Sequence, residues 1–155
     1  MEHKDYLELI ERVDSIKGLV ESALSKLKPY DEPYQSAEVN ELYESLALAQ
    51  PKLPAIENNK VNPWFDSPYA DIFKITSAVY PVLGNEGLSV IQQTRTHEGG
   101  TVLYSRLCHS SGQWVESRSR VIPPKNDIDS FRSTLNALRV ASLLSLLGIG
   151  ISNDP

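Results

Sequence analysis

Trp114, Glu116, Arg118 and Arg120 occupy alternate positions of one short stretch, a spacing that sends all four side chains to one face of a β-strand. An aromatic ring beside two guanidiniums on a sheet suits a flexible polyanion, whose bases stack while its phosphates are neutralised. The same pattern also fits Trp114 buried in a core, or Arg118 paired with Glu116. Arg132, Asn136 and Arg139 fall at i, i+4 and i+7 and share a helical stripe. Two guanidiniums about two turns apart can follow a phosphate backbone through bidentate contacts, or they can form an ordinary solvated face.

Other chemistries find less support. Cys108 and His109 are adjacent, and successive strand residues point to opposite faces, so they form no thiol–imidazole dyad with each other. His97 beside Glu98 has no nucleophile at a useful spacing. Three His and one Cys leave little for a metal site; no H-E-x-x-H or paired-cysteine template occurs. The pairs Gly84/Gly87 and Gly148/Gly150 lack the G-x-x-x-x-G-K-[ST] setting of a phosphate loop, so no nucleotide hydrolysis is implied. No metal, cofactor or catalytic residue is expected. The densest aromatic passage, residues 62–71, holds Trp64, Phe65 and Tyr69; it is either a binding platform or a proline-fixed segment pinned to a core.

The elements that position these residues follow from periodicity. Leu9, Val13, Ile16, Val20, Leu24 and Leu27 recur at steps of three and four, predicting an amphipathic helix over 6–27. Its stripe is available for self-association or for packing on the chain's own core. Pro29 and Pro33 predict a linker over 28–35. A second helix is expected from a cap at Ser36 to Pro51, then an irregular segment over 51–68, then a helix over 70–85 that Pro81 kinks or shortens. Strands over 88–95, 101–109 and 113–122 are joined by Glu98-Gly99-Gly100 and Ser110-Ser111-Gly112, which predicts an antiparallel meander. Asp127 should cap a last helix over 128–147 that ends at Gly148. The expected class is α+β: a helix, three-stranded antiparallel meander and helix core, preceded by N-terminal helices.

A chain of 155 residues with 41% hydrophobic content suits one core with appendages. The longest apolar run, 138–151, is interrupted by Arg139, two serines and Gly148, and is too short to span a bilayer. A charged start without an apolar segment argues against a cleaved signal, and a lone cysteine fits a reducing compartment. Charge is uneven: residues 1–59 carry 6 Lys/Arg against 12 Asp/Glu, and residues 60–155 carry 9 against 8. The acidic whole therefore leaves room for a local basic surface in the second part.

Several pieces resemble the essential recombination function (ERF) family of phage single-strand annealing proteins. They are 46–50 (Leu-Ala-Leu-Ala-Gln), 53–56 (Leu-Pro-Ala-Ile), 62–65 (Asn-Pro-Trp-Phe), 69–72 (Tyr-Ala-Asp-Ile), Leu83, 86–88 (Glu-Gly-Leu), 109–112 (His-Ser-Ser-Gly) and 146–149 (Leu-Leu-Gly-Ile). They cover about the last 110 residues in the family's order, and divide the chain into an extension over 1–35 and a core over 36–155. Of the paired arginines in the family's helix only Arg139 is kept, with Val140 in the other place.

The resemblance implies ATP-independent binding of single-stranded DNA, strand annealing in homologous recombination and repair, and assembly as a homo-oligomeric ring or filament. It implies a bacterial cytoplasmic setting under phage or prophage control, with a single-strand binding protein or an exonuclease as a partner and no membrane. Phosphate contacts are expected from Lys60, Lys74, Arg118, Arg120, Arg132 and above all Arg139, with Trp114 stacking. The alternative is an interaction or regulatory protein of the same fold that recruits partners through its N-terminal helix.

Overall fold

The computed structural model describes residues 3–58, 60–62, 67–69 and 71–152; the side chains of 3, 27–31, 60, 62 and 67–69 lie outside that description. In chain order the elements are α1 (His3–Asp31), α2 (Asn40–Ala49) with a 3-10 turn (Gln50–Lys52), β1 (Ile56–Glu57), β2 (Lys60–Asn62), β3 (Ser67–Tyr69), α3 (Ile72–Asn85), β4 (Leu88–His97), β5 (Gly100–His109), β6 (Trp114–Arg120), α4 (Ile128–Leu147) and β7 (Ile151–Ser152). This is the expected α+β class, with an antiparallel sheet in the order β4-β5-β6.

The meander forms because its sequences alternate and its turns are tight. Glu98 and Gly99 connect β4 to β5, so that His97 faces Gly100 and the pairing runs regularly to Leu88 opposite His109. Gly112, at φ 91°, provides the left-handed residue that closes the β5–β6 connection. Alternation then sorts the faces. Leu88, Val90, Leu107 and Val115 point to one side, where they meet Leu42 of α2, Ile75, Val79 and Leu83 of α3, and Leu143 and Leu147 of α4. These three helices therefore cover one face of the sheet, while Val102 and Tyr104 are buried on the other.

α4 follows the expected signals. The Asp127 carboxylate accepts from the Ser130 amide at 2.8 Å and from its hydroxyl at 3.0 Å, which holds its pKa below the ordinary value. Gly148, at φ 65°, ends the helix, and a side chain there would press on Gln50, whose amide donates to the Leu147 carbonyl at 2.9 Å. Between sheet and helix lies a small polar bridge. Gln92 donates to the Arg139 carbonyl (2.9 Å) and to the hydroxyls of Ser105 (3.0 Å) and Ser142 (3.1 Å), and the two hydroxyls stand 2.7 Å apart. These buried groups satisfy one another, so the bridge fixes the register of α4 without leaving a stranded polar atom.

Several expectations need correction. The first helix does not end at Leu27: it runs on to Asp31, with Pro29 inside it, so the linker begins later than residue 28. Ser36 does not cap α2, which starts at Asn40. Its hydroxyl accepts from the Trp114 amide (2.9 Å), and its own amide donates to the Trp114 carbonyl. Pro81 lies within α3 without ending it, because the helix continues to Asn85. The segment expected to be irregular contains three short strands, and β1 pairs in parallel with β7, Ile56 beside Ile151. The aromatic pair Trp64 and Phe65 lies outside the described residues.

Among the described side chains the stripe on α1 does not pack on the chain's own core: every residue from 4 to 24 is exposed, and the Leu27 side chain lies outside the description.

Leu143 is fully buried at the centre of the core. Leu143→Ala should lower unfolding stability by about 2–5 kcal/mol, read as a reduced urea midpoint with unchanged slope.

Candidate nucleic-acid interface

The sheet face turned away from α2, α3 and α4 carries the alternate residues of all three strands. Register places them in rows: Arg95, Val102 and Arg120; Gln93, Tyr104 and Arg118; Ile91, Arg106 and Glu116; Ser89, Cys108 and Trp114. Four guanidiniums and two aromatic rings therefore gather on one surface of a chain whose net charge is −5.

Their geometry is organised by one carboxylate. Glu116 accepts from Arg106 (Nε 2.9 Å, Nη2 2.6 Å) and from Arg118 (Nε 2.7 Å), and its side chain is 1% exposed. Arg106 stacks over the Trp114 ring at 3.8 Å, and Arg95 over the Tyr104 ring at 4.5 Å. Each ring holds its guanidinium over the sheet, and the Nε and Nη2 edge of Arg106 is the one turned to Glu116. Tyr104 is itself buried, which pushes its phenol up against the lowering pull of Arg118 and Arg95; its hydroxyl lies 3.1 Å from His97 Nε2.

Arg118 is engaged differently. Its side chain is 1% exposed, donating to the carbonyls of Glu32 (2.9 Å) and Pro33 (2.7 Å) and lying over Tyr34 at 4.3 Å. Residues 34–36 in turn add to the free edge of β6: Gln35 pairs with Val115, and the Tyr34 carbonyl accepts from the Glu116 amide at 2.7 Å. Arg118 thus ties the segment after α1 to the sheet, the ion-paired reading that its spacing from Glu116 allowed. Arg120 is exposed, with Nη2 donating to the Gly99 carbonyl at the hairpin.

The other expected positions lie elsewhere. Arg132 is exposed on α4 beside Asp129 at 3.5 Å. Arg139 is partly buried, its Nε 3.2 Å from Gln92 Oε1, and α4 covers the opposite face of the sheet. Lys74 donates to the Glu57 carbonyl at 2.9 Å; the Lys60 side chain lies outside the described residues. So Trp114, Arg118 and Arg120 come together, whereas Arg132, Arg139 and Lys74 do not join them. Arg95, Arg106 and Tyr104 were missed. Each has the parity of this face once the two-residue Glu98-Gly99 turn sets the β4–β5 register, so the turn held the signal.

A family model, the ERF superfamily, matches residues 42–148, well over half of the chain. The chain belongs to the ERF superfamily. That membership makes it part of a recombination and single-strand annealing family and agrees with the motifs read along the sequence. No curated protein and no solved structure matches it. In this ERF-superfamily core the match opens at Leu42 in α2 and closes at Gly148, the cap of α4, so it includes the whole sheet and the helices on its back. Among the described residues no group of three or more His, Cys, Asp or Glu is arranged to hold a metal, and no helix is long and apolar enough to cross a membrane. His109 turns toward α2, with Nε2 3.1 Å from Ser45 Oγ, on the opposite face from Cys108.

Two outcomes follow. Glu116→Gln removes the buried charge that two guanidiniums share, and should cost about 3–5 kcal/mol in urea unfolding. Burial pushes the Cys108 thiol up, partly offset by Arg106. Its reaction with a disulfide reagent should be slower at neutral pH than that of a free thiol, with an inflection above the ordinary value of about 8.5.

Proposed function

We propose that this protein binds single-stranded DNA and anneals complementary strands without ATP, acting as an oligomer of its 36–155 core, with residues 1–35 as a separate helical extension. The observation that carries the reading is the collection of Arg95, Arg106, Arg120 and Trp114 on the face of an ERF-superfamily sheet opposite α2, α3 and α4. Guanidiniums held on aromatic rings are fixed positive positions for phosphates on a flexible strand, and a base stacks on Trp114 only on the ring face that Arg106 does not occupy. Arg118 is a positioning residue here: it holds the segment that borders the surface.

Arg132 and Arg139 supply a second basic surface on α4, across the sheet from the first. Arg139, which matches the family helix, is its principal candidate. Lys74, on α3 and bonded to the Glu57 carbonyl, and Lys60, on β2, have a lesser share. Annealing requires no covalent step. Neutralised phosphates reduce repulsion between two strands, and base pairing supplies the free energy. The setting that fits is a reducing bacterial cytoplasm, in phage or prophage recombination, alongside a single-strand binding protein or an exonuclease.

The test is fluorescence-anisotropy binding to single-stranded and duplex oligonucleotides over a range of salt, followed by annealing without ATP. Single strands should bind more tightly than duplex, with steep salt dependence. Arg95 and Arg120 are exposed, so the double variant Arg95→Ala/Arg120→Ala should fold and lower the salt slope by about 1.4, near 0.7 for each phosphate no longer neutralised. Arg139→Ala should lower it by about 0.7. An unchanged slope in either folded variant removes that surface from the interface; no binding by the parent protein moves the reading to an interaction protein of the same fold.

A further inference from the structure

α1 presents an apolar seam that its own chain leaves uncovered. Tyr6, Leu9, Val13, Ile16, Val20 and Ala23 recur at alternating steps of three and four, the heptad spacing of a coiled-coil contact. Val13 and Ile16, at its centre, are 53% and 59% exposed. The described contacts between α1 and the β4–β5 hairpin include Ser25, whose hydroxyl donates to Glu98 Oε2 at 2.6 Å, and Lys26, which lies beside Gly99. Ser25 occupies the heptad position opposite the seam and Lys26 a flank beside it, so this contact lies at the C-terminal end of α1 and leaves the seam from Tyr6 to Ala23 exposed.

Charge selects the occupant. Residues 3–14 carry Lys4 and Arg12 against Asp5, Glu8, Glu11 and Asp14, a balance of −2; residues 15–28 carry Lys17, Lys26 and Lys28 against Glu21, a balance of +2. The helix is therefore self-complementary when laid antiparallel on a second copy of itself. A parallel pair would set Arg12 against Lys17 of the partner subunit across the flanks, twice. An antiparallel pair in which Leu9 meets Val20 of the partner subunit, and Val13 meets Ile16 of the partner subunit, brings no like charges together on the flanks and places Lys26 near Asp5 of the partner subunit. Sliding by one heptad would oppose the two copies of Lys17.

We propose that α1 is an antiparallel, two-fold homodimerisation helix that joins two cores through this seam. Such an isologous contact closes on itself. It leaves the matched core, residues 42–148, to make any ring or filament contacts separately, and it does not depend on DNA.

Cysteine cross-linking of the full chain, in a Cys108→Ser background and without DNA, tests both partner and direction. Leu9→Cys and Val20→Cys proteins are treated with a short bismaleimide, each alone and after mixing and subunit exchange. The expected result is a covalent dimer in the mixture but little from either protein alone, since 11 residues of helix separate like positions by about 16 Å. Dimers from each protein alone would show a parallel pair and overturn the proposal, as would no dimer in any lane. Val13→Glu/Ile16→Glu changes side chains that the core does not touch, so the sheet should remain folded. It should abolish the cross-link in the Cys-bearing pair while the unfolding midpoint of the core stays unchanged; a persistent cross-link would likewise overturn the seam.

Discussion

The buried carboxylate of Glu116 is the constraint on which the sheet's arginine-bearing face depends. A charge with almost no solvent contact is stable only when partners replace its hydration, and Arg106 and Arg118 do so from either side. The consequence reaches beyond the pair. Arg106 is held across the Trp114 ring, and Arg118 is drawn inward to meet the carbonyls of residues 32 and 33. One acidic side chain thereby orders two cations of opposite roles, one toward the surface and one into the edge of the sheet.

The two faces of the sheet divide the labour. On the covered side, leucines and valines from α2, α3, α4 and the three sheet strands form the core, and the Gln92, Ser105 and Ser142 bridge fixes where α4 lies. Apolar burial provides the driving force, while the bridge discriminates between registers because a shifted helix would leave buried hydroxyls unpaired. The other side is held by polar contacts, with Arg118 bonded to the carbonyls of residues 32 and 33. Its aromatic rings are covered by guanidiniums, which shield apolar surface and still present charge to solvent. A rigid sheet carrying cations is suited to a single strand, whose own flexibility lets it conform to fixed positive positions.

The extension answers to different physics. α1 has no core to bury its stripe, and helices gain most of their stability in proteins from packing of an apolar face. Its charge polarity and heptad spacing supply what a second copy would need. Residues 34–36 connect this helix to the sheet by pairing with β6, which also covers an edge that would otherwise offer unpaired backbone groups to another chain.

Local rules determined a large part of this protein. Alternation and glycine turns specified the meander, and Asp127 and Gly148 delimited α4, because each acts through neighbours a few residues away. The spacing of Trp114, Glu116, Arg118 and Arg120 likewise placed them on one face. What spacing could not decide was which cations share a surface, since that depends on pairing between strands and on which face α4 covers: Arg95 and Arg106 join Trp114, while Arg139 lies behind the sheet. Ser36 illustrates the same limit. A serine before a helix resembles a cap, yet a strand edge 78 residues away competes for its hydroxyl and takes it. Only the folded chain brings those competitors together, so tertiary contact decided the roles of Ser36, Arg118 and the arginine surface.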